Sequence, residues 1–388
     1  AQAMHLLGDR PGEYAYVTTN SIVQGVPVHA LFNPLMRQNW RIKFAHRTFA
    51  WDSEAPGKAA VHCVIIGFTR DRGVKQRLWD YPNVKGGPIE MQVEKTINAY
   101  LVDGPWVLVE RRKTPLSPLL PSVSNGSEPR EGNNLMITTS EIDNACKDPI
   151  LAKYIRPFVA ARELIQGQKR WCLWLREVDP LDIKKSPELA SRLRRVKEMR
   201  LDAKQAATFK AAETPHLFVA DRQPNVPYLC FPSVFSETRR YMTAQRLSPD
   251  VITSNANFVA EDPDGLIFGL LSSSMFITWQ RTVGGRLKSD LRFSNTLTWN
   301  TFPAPELNVQ DKTAIINGGK AVLEARAKFP TRSLADHYQP LAMDPDLLKA
   351  HDKLDKAVDK AFGAPRKLTN EKQRQELLFQ NYVKLTQE

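Results

Sequence analysis

Short apolar runs separated by polar turns open the chain. Tyr14, Ala15, Tyr16 and Val17 read as a short buried strand that ends in the polar run Thr18-Thr19-Asn20-Ser21. Helical spacing follows over residues 28–36, and residues 41–45 and 60–68 read as second and third strands. Val61, Val64, Ile65 and Ile66 make the third strand almost continuously apolar, as expected where a sheet is covered on both faces. Strand, helix, strand, strand is the closing pattern of an α/β domain. The strands are too few to close a doubly wound core, and no strand-glycine-helix unit precedes them. The first segment therefore reads as part of a larger domain.

Residues 76–150 are irregular, broken by Pro82, Pro88, Pro115, Pro118, Pro121 and Gly126. One helix is predicted over residues 89–101, and residues 115–132 read as a connection. Further on, residues 170–175 form a strand candidate. Ser186-Pro187-Glu188 reads as a helix start, with Ser as N-cap, Pro at the first position and an acid in the first turn. Leu189, Leu193, Val196 and Ala203 give that helix an apolar stripe, while Arg192, Arg194, Arg195, Lys197, Arg200 and Lys204 crowd its other faces. Strands are predicted at 216–220, 228–231 and 251–254, and a buried helix or strand-helix pair over 265–280. The last segment is helical. One helix spans 310–328, a second begins at Pro345 behind Asp344 and stops at Gly363, and a third begins near Thr369.

Composition narrows the class. The 388 residues are 42% hydrophobic and 25% charged, ordinary for a soluble globular chain. No run approaches the roughly 20 apolar residues that span a bilayer, and no secretory leader is visible. The four cysteines form no CxxC pair and the seven histidines no HxH or HExxH pattern, so a reduced, cytoplasmic protein without a metal site is expected. The net charge of +12 favours phosphate backbones, anionic membranes or acidic proteins. The lack of a basic amphipathic helix with bulky apolar residues argues against the membrane.

Four places can carry chemistry. Thr19, Asn20 and Ser21 follow a strand, where α/β sheets bind ligands; the ordinary alternative is a helix cap. Phe49 and Trp51 read as loop aromatics able to stack on an extruded base, or to fold back on the core. The basic helix at 187–204 could follow a phosphate backbone or form a solvated face. The densest cluster is residues 281–294, in which Arg281, Arg286, Lys288 and Arg292 accompany Gly284, Gly285 and Ser289. Arginine reads guanine edges bidentately, Lys and Ser hold phosphates, and glycine admits close backbone approach. A salt-bridged surface loop is the competing reading. A smaller cluster joins Glu237, Arg239, Arg240 and Tyr241. Neither an FxGxG turn for S-adenosylmethionine nor an (Asn/Asp)-Pro-Pro-aromatic loop for an exocyclic amine occurs. Asn225-Val226-Pro227-Tyr228 imitates the latter without the Pro-Pro pair.

Several runs resemble, in collinear order, MmeI-like DNA methyltransferases. They are Tyr16-Val17-Thr18-Thr19-Asn20-Ser21 through Gly25, Phe44-Ala45-His46-Arg47-Thr48-Phe49, and Arg170-Trp171-Cys172-Leu173-Trp174. The most specific is Gly284-Gly285-Arg286-Leu287-Lys288-Ser289-Asp290-Leu291-Arg292-Phe293-Ser294, leading into Trp299-Asn300-Thr301-Phe302-Pro303. The resemblance implies an α/β fold in three parts: the C-terminal half of a Rossmann-like methyltransferase domain (1–110), an α+β target recognition domain (111–305) and a helical C-terminal region (306–388). It implies site-specific adenine-N6 methylation of double-stranded DNA in restriction-modification or phage defence, with S-adenosylmethionine held by an upstream half. Some members carry a nuclease as well. Phe49 would stack on the flipped adenine, with Trp51 as the substitute, and Thr19, Asn20 and Ser21 would border its pocket. Arg239, Arg240, Arg281, Arg286, Lys288, Ser289 and Arg292 would face DNA. The alternative is a DNA-binding specificity module without catalysis of its own, and this chain by itself is expected to be inactive.

Overall fold

A computed structural model describes residues 6–8, 10, 12–51, 61–287 and 289–387. The chain is divided between two compact units. Ala1–Leu120, Ser274–Leu307 and Val358–Glu388 form the first, and Pro121–Ser273 with Asn308–Ala357 the second.

The first unit is built on a five-stranded sheet. Its strands are β1 (Tyr14–Thr19), β2 (Arg41–Trp51), β3 (Val61–Thr69), β4 (Arg77–Asp80) and β5 (Ile89–Met91), in the order β1-β3-β2-β4-β5. Pairing is antiparallel except between β2 and β4. β3 lies inside the sheet, and Val64, Ile66 and Phe68 are buried, as its apolar run predicts. β1 is not the buried strand expected. It is an edge strand with Tyr16 and Val17 about half exposed, its aromatic and β-branched residues meeting strand propensity rather than burial. Helix α1 (Pro27–Arg37) starts on proline and turns Val28 and Phe32, four residues apart, into the core, where Phe32 meets Phe68 at 6.2 Å.

The helix expected over 89–101 does not form. β5 takes its first residues, pairing Met91 with Leu78. Beyond it, side chains capture the backbone. Asp103 accepts the N–H groups of Glu94 and Lys95 at 3.0 and 2.9 Å, and Asn98 Oδ1 accepts those of Tyr100 and Val102. Such local bonds compete with helix formation. The Ser274–Val283 helix packs on the Glu371–Gln387 helix, with Trp279 centred 5.8 Å from both Phe379 and Tyr382.

In the second unit, Gln245–Leu247, Tyr228–Pro232, Asn257–Glu261 and Val123–Asn125 form one four-stranded sheet in that order. Ile252–Thr253, Ile155–Val159, Trp171–Leu173 and Met136–Ile137 form another, over a core containing Leu135, Ile137, Leu173, Leu189, Val196 and Ile252. The strand expected at 216–220 is reduced to one bridge between Glu128 and Ala220. Helix Pro187–Leu201 begins as predicted: Ser186 Oγ accepts the Leu189 N–H at 3.2 Å, and Leu189, Leu193 and Val196 are buried. Ala203 lies beyond its end. Arg200, expected on the basic face, is fully buried instead. Helices Val309–Ala327, Pro345–Ala361 and Glu371–Gln387 match the helical reading of the last segment, and Gly363 at φ +97° takes the left-handed stop. No helix among the described residues is long and apolar enough to cross a membrane.

Candidate nucleic-acid interface

Thr19, Asn20 and Ser21 stand where β1 turns into a single 3-10 turn, Asn20–Val23. The Thr19 and Ser21 hydroxyls are 2.7 Å apart, and Asn20 Nδ2 donates to Thr48 Oγ1 at 3.5 Å. Strand register places Phe49 beside this turn. Cys63 on β3 pairs with Thr19 on one side and Phe49 on the other. Phe49 and Trp51 therefore belong to β2 and not to a loop. Pairing of β2 with β3 continues past Ala45 to Trp51, across an irregularity between His46 and Phe49.

Phe49 is part of an aromatic surface. Its ring lies 5.1 Å from Tyr81 at 27° and 6.3 Å from Trp51. The Tyr81 hydroxyl is 2.9 Å from His46 Nδ1, and His46 stacks on Trp79 at 4.5 Å and 8°. Burial lowers the affinity of His46 for a proton. Trp51 is about half exposed, so it is the ring of this group most open to a partner. Sequence reasoning missed His46, Trp79 and Tyr81. The signal was present in Trp79 and Tyr81, two positions apart and so on one face of an extended segment.

The 281–294 cluster divides by role. Gly285–Leu287 and Asp290–Arg292 pair as an antiparallel hairpin, Gly285 opposite Arg292 and Leu287 opposite Asp290. Lys288 lies outside the described residues. Leu291 is buried beneath, Arg292 is exposed, and Leu287 is 52% exposed at the tip. Arg286 Nη1 donates to the Ser289 carbonyl at 2.8 Å, which stiffens the turn. The buried Gln280 donates to the Arg292 carbonyl at 3.1 Å and ties the hairpin to its helix. Arg281 is engaged inside the unit, 3.1 Å from Glu371 and about three-quarters buried at its side chain.

Hairpin and β1 turn are joined through backbone. The Gly25 N–H donates to the Val283 carbonyl at 3.2 Å, and a Cβ on Gly25 would lie 3.2 Å from Gly285 Cα. With Gly25 at φ +69°, only glycine fits both the conformation and the approach.

In the second unit, Arg239 Nη1 donates to the Ala335 carbonyl at 3.0 Å, and burial lowers its pKa. Tyr241 is buried and stacks on His351 at 3.7 Å. Arg240 is exposed, its guanidinium 5.9 Å from the Tyr241 ring. The β1 turn does not fit S-adenosylmethionine. The polar atoms at the β1 turn bond to one another and to Thr48, and β1 is an antiparallel edge strand without a glycine-rich entry into a helix.

Residues 1–80, 103–306 and 307–388 match family models described, in turn, as the DNA-methyltransferase domain, target recognition domain and C-terminal domain of MmeI. The chain is 34% identical over 386 residues to DNA methyltransferase A of Bacillus subtilis (strain 168), an alignment covering 96% of this chain and 42% of that protein. It also superposes on a solved structure of the type IIL restriction-modification enzyme MmeI in complex with DNA. The TM-score is 0.85 at 39% identity, covering 100% of this chain and 52% of that one. The chain thus spans about half the length of the relatives it matches.

Proposed function

The chain belongs to the MmeI family of DNA methyltransferases, and from that membership we propose that it carries the DNA-reading part of a site-specific adenine-N6 methyltransferase. Residues 1–110 would complete the methyltransferase domain, 111–305 would recognise the target and 306–388 would support both. Methylation would draw on S-adenosylmethionine held by the part of the longer relatives that this chain does not span, with a nuclease present in restriction-type members. The setting would be bacterial or archaeal cytoplasm.

One observation carries the reading: the hairpin that exposes Arg292 is bonded through Val283 to the turn beside Phe49. A duplex gripped at the hairpin would thus have a fixed relation to the aromatic surface where an extruded adenine would stack. Phe49 and Trp51 would form that wall, and Thr19, Asn20 and Ser21 its polar border. Arg240, Arg286, Lys288, Ser289 and Arg292 would face DNA, whereas Arg239 and Arg281 would act by holding the framework.

Footprinting and a salt titration on Arg286→Ala and Arg292→Ala test this. An arginine that reads a base should relax specificity at one position, at a cost of about 1–3 kcal/mol. One that holds phosphate should weaken all sequences alike. Unchanged affinity for both variants would sink the assignment. A second reading, a specificity module without catalysis, is favoured by the poor fit to S-adenosylmethionine. Calorimetry of that cofactor against the chain separates the two, since an autonomous enzyme must bind it.

A further inference from the structure

A cleft of about 390 Å³ lies within the first unit, lined by Val26 and His29 at the start of α1, by Arg111, Arg112 and Lys113, and by Thr296. The three cations are exposed and form no ion pair among the described residues. That sets them apart from Arg281, which is committed to Glu371. Their backbone is nonetheless held firmly. The Arg112 N–H donates to the Thr296 carbonyl at 2.9 Å, and its carbonyl accepts from Asn300 Nδ2 at 2.9 Å. A rigid main chain carrying solvated cations suits a polyanion that must be met at a fixed place.

The surroundings add to the positive field. α1 is 11 residues long; Pro27 at its start has no N–H, the Val28 N–H donates to the Gly25 carbonyl at 3.4 Å, and the cap residue Val26 offers no side-chain oxygen, so the positive end of the helix at the cleft has no side-chain cap. Glu110 is the one carboxylate of the lining, well exposed and 4.0 Å from His29 Nε2. The cleft also continues the hairpin. Thr296 follows Arg292 by four residues, and Val26 follows Gly25, whose N–H is bonded to Val283.

We propose that this cleft, through Arg111, Arg112, Lys113 and the first turn of α1, binds phosphodiester groups of the DNA backbone beside the segment held by the 285–292 hairpin. The proposal rests on the DNA-reading function above. Its bonds to phosphate carry no sequence information; they position the duplex.

The test is duplex binding by the whole chain over a range of salt, for wild type and for the combined Arg111→Gln, Arg112→Gln, Lys113→Gln variant. Each phosphate that the variant no longer neutralises should flatten the slope of log K against log salt by about 0.9. We expect the triple variant to show at least one such step, equally for target and unrelated sequences. The pair Arg111→Lys, Arg112→Lys should keep the wild-type slope, because phosphate accepts lysine as a point charge. Glu110→Gln should tighten binding, a gain that misfolding cannot produce. A wild-type slope in the triple variant, or no gain from Glu110→Gln, overturns the cleft while leaving the DNA-reading function intact. A wild-type chain that binds no duplex overturns that function and the cleft with it.

Discussion

Arg200 shows how far a single side chain can depart from what its neighbours suggest. It sits among basic residues on a helix and reads as one more cation of a solvated face. In the fold it is buried, and its five N–H donors reach five backbone carbonyls. Nε bonds Arg130, Nη1 bonds Ala211 and Thr214, and Nη2 bonds Pro129 and Leu217, all between 2.8 and 3.1 Å. The planar fork matches a carbonyl cage that no other residue could fill. Arg200→Met should cost at least about 3 kcal/mol in urea unfolding, because it strands several buried acceptors. Arg200→Lys should recover little of that stability. A cost below about 1 kcal/mol for Arg200→Met would show that water satisfies the cage. Nothing local marks the position in the sequence, since the carbonyls come from loops 11 to 71 residues away. The same distance hid the partner of Arg281 and the carbonyl that engages Arg239.

Elements defined by their own periodicity and caps were legible: α1, the helix begun by Ser186, the three C-terminal helices and the apolar β3. Those decided by distant partners or by side-chain capture were not. β2 ran past its predicted end because β3 continues to pair with it, and this moved Phe49 and Trp51 from a loop onto a strand. Residues 94–101, within the helix expected over 89–101, gave it up to the Asp103 carboxylate and the Asn98 carboxamide, which accept backbone N–H groups there. Gly318-Gly319 lies inside the Val309–Ala327 helix, where glycine ordinarily costs stability, and forms a packing surface there. The Leu266–Leu271 helix crosses there, with Gly319 facing Gly269. An alanine in a helix ordinarily gains about 1 kcal/mol over glycine. At Gly269 the added Cβ would lie 2.7 Å from Ile315 Cγ2 and 2.9 Å from its carbonyl oxygen. Overpacking of that kind costs about 1–3 kcal/mol, so Gly269→Ala should lower the unfolding midpoint despite its better propensity. A raised midpoint would mean that the two helices separate easily.

At the scale of the molecule, the family boundaries and the compact units do not coincide. The C-terminal family domain, 307–388, supplies residues to both units. Phe379 and Tyr382 fill the first unit against Trp279, and Tyr382 Oη accepts the Glu110 N–H at 3.3 Å. The Val309–Ala327 helix closes the second over Gly269. A chain ending at residue 306 should therefore lose its cooperative thermal transition, followed by circular dichroism and by solubility on expression. A truncated chain that melts as sharply as the intact one would contradict this. The interleaving also bears on how such proteins can acquire new targets. Recombination that transplants residues 103–306 as one block would import residues 103–120 and 274–306, which belong to the first unit, and abandon the 308–357 helices that complete the second. Viable chimaeras should instead inherit both stretches of the second unit from the same parent, so lineages exchanging specificity would carry paired crossover points rather than one clean cassette.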